Sequence, residues 1–305
     1  MIKVKMMKKQ LIICLMLLLA SAAQAQSTLK VVPVMKKGEV RSYVSETINN
    51  TAGNNIKITQ QTDYTIVDVT DSGYVVDLVC TSINTEADVD NITKKLLSLN
   101  ESMMQNAHIR LATDKEGKPI KILNYEEVRQ NTENVLNKIV NEILAELPDM
   151  GNLISKEAML EKARAQMDEE KILSGIQKSA SPLALNGKTL NNTTEEDYVN
   201  AIGLKMKRRY TVNGNSVIAK SVMNMDKSDL KQLILAQMKA AIPSMKETEI
   251  LDIDMLMDSG MLTFQMDEEA TYELLDNGWV KSIKTITNNK MMGQSSSITC
   301  TVTLK

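Results

Sequence analysis

Three stretches in which apolar and polar residues alternate, separated by turn chemistry, restrict what this chain can fold into. Residues 39–47 (EVRSYVSET), 56–69 (IKITQQTDYTIVDV) and 74–85 (YVVDLVCTSINT) alternate with a period of two and are rich in Val, Ile, Thr and Tyr. Successive side chains of a strand point to opposite faces, so such text describes strands with one buried and one wet face. Asp71-Ser72-Gly73 separates the second from the third, which makes them antiparallel neighbours across a tight turn.

The same grammar returns at the end of the chain. Residues 198–211 and 216–225 flank Asn213-Gly214-Asn215, and 248–257, 261–274, 279–288 and 296–304 are further strand candidates, with Asp276-Asn277-Gly278 as a turn. A shorter hairpin, HIRLATDKEGKPIKIL, turns at Asp114–Gly117. Pro119, which lacks a donor, belongs at its edge or strand start. Between the strand blocks the period changes. Residues 125–147 place Val128, Val135, Leu136, Ile139, Val140 and Ile143 at helical spacing, and residues 155–177 repeat the pattern with Met159, Leu160, Ile172 and Ile176 inward. Together they read as a helical hairpin. Shorter helices fall at 90–105, capped by Asp90 or Asn91, and at 228–242, capped by Ser228. Residues 181–196 read as a polar loop.

These elements predict an α+β fold of long antiparallel strands carrying an inserted helical hairpin and additional short helices. The expected organisation is a signal peptide over 1–25 and a single α+β domain over 26–305, β-rich at 30–124, helical at 125–180 and β-rich again at 186–305. The two β-rich blocks share a loose order of strands, a helix and a hairpin, which convergent hairpin chemistry is enough to explain.

The leader reading rests on Lys3, Lys5, Lys8 and Lys9, the apolar run 11–20 and the small-x-small end Ala23-Gln24-Ala25. Cleavage between Ala25 and Gln26 would release a protein exported to the periplasm or beyond, soluble and without a transmembrane anchor. Ile13 stands where a lipidated Cys14 would want a small residue, which argues against a lipid anchor. Four lysines leave with the leader, taking the net charge from −2 to −6. That balance excludes nucleic acid as a partner. Cys80 and Cys300 remain in an oxidising compartment and are expected to form a disulfide, which would set the last strand beside the third.

Chemistry-bearing motifs are sparse. His108 is the one histidine and has no partner of metal-ligand spacing. Ser228-Asp229-Leu230-Lys231 has bare S-x-x-K spacing without companion motifs, and suits a helix cap. Asn186-Gly187-Lys188-Thr189 lacks the earlier glycine of a phosphate loop, because Pro182 stands there. Asp252 and Asp254 share a strand face with Asp258 following, and Asp267, Glu268 and Glu269 form an acidic cluster read as a turn. Paired carboxylates suit glycoside hydrolysis, but nine aromatic residues in the whole chain are few for sugar platforms. Lys205, Lys207 and Arg209 alternate as an exposed strand face, with Arg208 opposite. No catalytic, cofactor-binding or metal-binding residues are assigned, and no cofactor is expected.

The AQAQ leader end, Lys37-Gly38-Glu39, the TDKEGKPIKILNYEEV segment and Ala270-Thr271-Tyr272…Asn277-Gly278-Trp279-Val280 together resemble a set of exported Bacteroidota proteins of unknown function. Members of that set look similar in outline to periplasmic lipoprotein carriers, in which an incomplete barrel shelters acyl chains; the resemblance implies a long curved antiparallel sheet or incomplete β-barrel here. The resemblance spans most of the mature chain. With 17 of the 21 methionines lying after the leader, the expected function is a non-enzymatic binding or carrier protein. Its Met- and Leu-lined cavity would hold an apolar small molecule or lipid. The alternatives are an envelope protein-interaction module, docking a protein partner by strand pairing or through 125–177, and a hydrolase.

Overall fold

The alternating segments become strands of one open antiparallel sheet. A computed structural model describes residues 28–51, 54–146, 155–164, 168–178, 180–200, 203–241, 255–257, 259, 263–291 and 294–305. The leader, its Ala25–Gln26 junction, Asp252, Asp254, Asp258 and most of the expected strand 248–257 lie outside these residues.

The first block forms β1 (Leu29–Lys30), β2 (Val40–Thr51), β3 (Asn54–Thr70), β4 (Gly73–Ala87), α1 (Asn91–Met104), β5 (His108–Thr113) and β6 (Pro119–Ile122). The middle forms α2 (Tyr125–Glu146), α3 (Lys156–Arg164) and α4 (Glu169–Lys178). The last block forms β7 (Thr189–Leu190), β8 (Glu195–Val199), β9 (Lys205–Asn213), β10 (Ser216–Met223), α5 (Lys227–Ala241), β11 (Phe264–Leu274), β12 (Val280–Met291) and β13 (Gln294–Leu304). The sheet has eleven strands among the described residues, ordered β6-β5-β4-β3-β2-β13-β12-β11-β10-β9-β8, while β1 pairs only with β7. It is α+β, as the periodicity predicts, and unclosed, as the resemblance implies.

Two meanders meet at β2 and β13. Each inserts a helix between strands that remain neighbours: α1 between β4 and β5, and α5 between β10 and β11. The local capping follows the sequence with one change. Asp90 caps α1, accepting from Thr93 N at 2.9 Å, but α5 is capped by Asp226, which accepts from Asp229 N at 2.7 Å. Ser228 lies inside the first turn. A carboxylate at the earlier position satisfies an orphan N–H and favours the positive helix end, which a hydroxyl does less well.

The expected disulfide is corrected by this topology. Both thiols are free. Cys80 pairs across β4 with Thr62, Thr62 belongs to the strand beside β2, and Cys300 pairs with Thr47 of β2. Three strand spacings therefore separate them, about 14 Å across the sheet, far beyond what a bridge tolerates. The last strand lies beside the first long strand, not the third. The continuous strand expected over 198–211 is two strands, β8 and β9, which turn on each other through Asn200 and a left-handed Gly203 at φ 85°.

The loop expected at 181–196 is polar only in its second half. Leu183, Ala184 and Leu185 are buried with Asn186. Turn hydrogen bonds satisfy their backbone: Ala184 N to Ser181 O, Asn186 N to Leu183 O, and Lys188 N to Leu185 O. The plug packs with Val31, Met35 and the fully buried Trp279, whose indole N–H donates to Val34 O at 2.9 Å. Gly278 takes φ 81° at this crossing, and a Cβ there would lie 2.5 Å from Val32 O. Glycine is required twice over, by conformation and by space.

Candidate ligand cavity and the buried charge network

The register fixes which side chains face inward. Tyr43, Ser45 and Thr47 on β2 share a face with Thr62 and Tyr64 on β3, and with Leu304, Val302 and Cys300 on β13. At one end this face is sealed. Tyr43 is buried and its hydroxyl donates to Val280 O at 2.7 Å. Its ring meets Tyr64 edge-on with centroids 5.3 Å apart. Burial pushes the Tyr64 phenol up to about 12, with a hydrogen bond to Ser181 working against the shift. Both tyrosines are therefore neutral, apolar walls with satisfied tips.

Helix α4 lies over this face. It also covers one edge of the open sheet, where an unpaired strand would otherwise present bare backbone. Ile122 N donates to Glu169 Oε1 at 2.8 Å, and Gln177 Nε2 donates to Pro119 O at 2.7 Å. Both partners belong to β6. At the far end of the helix the Arg208 guanidinium donates to Lys178 O at 3.4 Å. Between α4, the end of α1 and the inner faces of β2, β3, β4 and β13 lies a cavity of 450 Å³. Leu78, Met104, Ile172, Ile176 and Val302 supply apolar wall, and Ser45, Gln60 and Thr62 supply neutral polar groups.

Among the described residues, most methionines with an assigned packing environment lie elsewhere. Met206 and Met257 are buried with Leu204 and Leu230 under α5, and Met223, Met225 and Met266 pack against them. Met104 is the one methionine among the described residues lining the cavity. The expectation of a Met-lined pocket is thus corrected. A flexible thioether fills the irregular space between a short helix and a twisted sheet, whereas the cavity wall is built by tyrosines and branched aliphatics.

On the other arm the inner face carries charge. Arg208 is buried, with its side chain 4% exposed. It donates to Ser221 Oγ at 2.9 Å, Tyr198 Oη at 3.0 Å and Glu268 Oε1 at 2.9 Å, and sits 3.4 Å from Glu196 Oε1. Its guanidinium lies 4.5 Å from the Tyr198 ring centroid. Glu196 also accepts from Lys188 Nζ at 2.8 Å and from the Tyr210 hydroxyl. Burial drives Lys188 below the ordinary lysine value; Glu196 opposes the shift, and Arg208 and Lys118 add to it. Burial acts to raise Glu196, but Lys188, Tyr210 and Arg208 outweigh it and hold the carboxyl below its usual range. A pocket of 270 Å³ lies beside this network, lined by Lys118, Lys178, Lys188, Glu196 and Tyr198 among others.

The sequence candidates disperse. His108 lies on the outer face of β5, its Nε2 3.3 Å from Asp77 Oδ2. Arg110 holds Asp77 in bidentate fashion at 2.7 and 2.8 Å. Lys188 of the NGKT run serves Glu196, and Asn186 donates to Gly117 O at 3.0 Å. Lys205, Lys207 and Arg209 do form the outer face of β9, paired with Asp229 and Glu195. Asp267, Glu268 and Glu269 are mid-strand in β11 rather than a turn, so their faces alternate: Glu268 meets Arg208 and Glu269 meets Lys220. Sequence reasoning missed this ion pair, although a signal existed. Arg208 is in phase with Met206, Tyr210 and Val212, and Glu268 with Met266, Ala270 and Tyr272, so both charges fall on apolar faces.

No protein-family profile and no curated protein matches the chain. Among solved structures it is similar to lipovitellin, described for its lipid–protein interactions, at 8% identity and a TM-score of 0.40, over 89% of this chain and 25% of that one. A porin-like protein from Bacteroides uniformis aligns at 7% identity and a TM-score of 0.20, over 88% of this chain and 97% of that one. The chain spans a quarter of the lipovitellin chain. Likeness at these scores carries no argument about what this protein does. Among the described residues no helix is long and apolar enough to cross a membrane.

Proposed function

We propose that this is an exported, non-enzymatic binding or carrier protein for an apolar small molecule or lipid, held in the cavity under α4. The observation that carries the reading is the 450 Å³ space itself. It lies on the apolar inner face of an open sheet and falls within the roughly 300–1,000 Å³ of small-molecule sites. The α4 helix supports the same reading, because it roofs the cavity through a few side-chain hydrogen bonds to a sheet edge rather than through a continuous ladder.

Gly175 provides the test. It lines the cavity from α4, and a Cβ built on it meets nothing within 4 Å. Gly175→Leu should therefore fill the mouth without a clash while removing a helix-interior glycine, a change that stabilises by roughly 0.5–1 kcal/mol. Binding of the neutral apolar dye Nile red should fall at least tenfold in this variant, while its melting temperature stays level or rises. Unchanged dye affinity, or no binding by the wild type together with a native mass spectrum of ligand-free protein, refutes the reading.

A further inference from the structure

We infer that the ligand is an uncharged amphiphile, an apolar chain or ring bearing an alcohol, ester or amide group, and not a fatty-acid anion. This rests on the carrier reading and narrows it. The cavity sets neutral polar groups beside a sealed apolar base. At the sealed base stand Tyr43, Tyr64 and Leu78. Thr62 stands opposite Tyr43, and Ser45 and Gln60 face each other one pair further out. A tail would lie toward the tyrosines with its head among hydroxyls and an amide.

Those head-level groups are available. Gln60 Nε2 donates to Thr62 Oγ1 at 3.0 Å. This leaves Gln60 Oε1 as an acceptor and the Thr62 hydroxyl as a donor, with no partner for either among the described residues. They match the donor and acceptor of an alcohol, ester or amide.

Nothing at the site would neutralise a carboxylate. None of the described residues lining the cavity is ionised at neutral pH. Burial raises the Cys80 and Cys300 thiols above their ordinary value, so they add no charge to that face. The guanidiniums on the inner face are already spent: Arg208 on Glu268, Glu196, Ser221 and Tyr198 of the other arm, and Arg41, opposite Tyr64, on Glu39 and the Trp279 ring. An ionised ligand would have to shed its hydration with no counter-charge, and it would protonate rather than enter charged.

The experiment compares 1-monooleoylglycerol with oleate, which share one acyl chain, by displacement of Nile red from the purified protein at pH 8, each below its micellar concentration. The glycerol ester should bind at least tenfold more tightly than oleate. Thr62→Val with Gln60→Leu should weaken the ester at least fivefold while leaving Nile red affinity within twofold, and Ser45→Ala serves as a second variant should the double substitution perturb folding. Equal or tighter binding of oleate at pH 8, or no change in the ester-to-oleate ratio in both variants, overturns the inference and leaves the carrier reading standing. If neither lipid nor dye binds the wild type, both fall.

Discussion

Arg208→Met is the most informative stability perturbation. The side chain is 4% exposed, so methionine fills much of the same space while five interactions disappear: those with Ser221, Tyr198, Glu268, Glu196 and Lys178 O. Glu196 keeps Lys188 and Tyr210 as partners. Glu268 does not; it is left 21% exposed without a cation. Breaking a buried pair by removing one partner costs about 3–5 kcal/mol, mostly through the stranded charge. Partial hydration of Glu268 favours the lower end, about 3 kcal/mol. For a chain of this size that is roughly a 6–12 °C fall in melting temperature, or about 1 M in urea midpoint at a slope of about 3 kcal/mol/M. Adding Glu268→Gln removes the stranded charge and should restore about half of the loss, the non-additivity expected of neighbours. A loss below about 1 kcal/mol for the single variant, or a double variant less stable than the single, would refute the assignment of Arg208 and Glu268 as a mutually dependent buried pair.

Three further outcomes are expected. Thiol titration of the unfolded, unreduced protein should find Cys80 and Cys300 both reactive, with no mass change on reduction; a two-hydrogen mass gain would contradict the sheet order. Gly278→Ala should destabilise by at least about 2 kcal/mol, because a left-handed alanine is strained and its methyl would sit 2.5 Å from Val32 O; a shift under 0.5 kcal/mol would show that the crossing relaxes freely. Asp77 is held below its ordinary value of 3.8 by the Arg110 hydrogen bonds, with His108 adding to the effect. Its contribution is therefore present above that value and lost as pH falls through the lower folded one. Urea midpoints of the wild type and Asp77→Asn should converge as pH drops below about 4, and parallel curves would dismiss the pair as a source of acid sensitivity.

Much of the fold was legible because it depends on local periodicity. The alternation around Tyr43, Tyr64 and Val76 depends only on which face each residue takes, and the turns at Asp71–Gly73 and Asn213–Asn215 need only a few consecutive residues. The failures have a common cause. Polar content averaged over 181–196 concealed Pro182-Leu183-Ala184-Leu185, whose burial depends on the space left inside the curved sheet. Cys80 and Cys300 both sit on strands, and only the order of strands places β3 and β2 between them.

The sequence by itself therefore determined the long strands and tight turns, most helical segments, two helix caps to within two residues, and the α+β class, since each follows from backbone sterics and side-chain phase within a short window; it ran together β8 with β9 and α3 with α4. Only the tertiary structure decided that the last strand pairs with the first long one, that α4 bridges the open seam, and that a neutral cavity lies on one arm while paired charges lie on the other. Those outcomes depend on contacts between different elements, 47 positions apart for Ile122 with Glu169, 60 for Arg208 with Glu268 and 237 for Tyr43 with Val280. No local pattern encodes them.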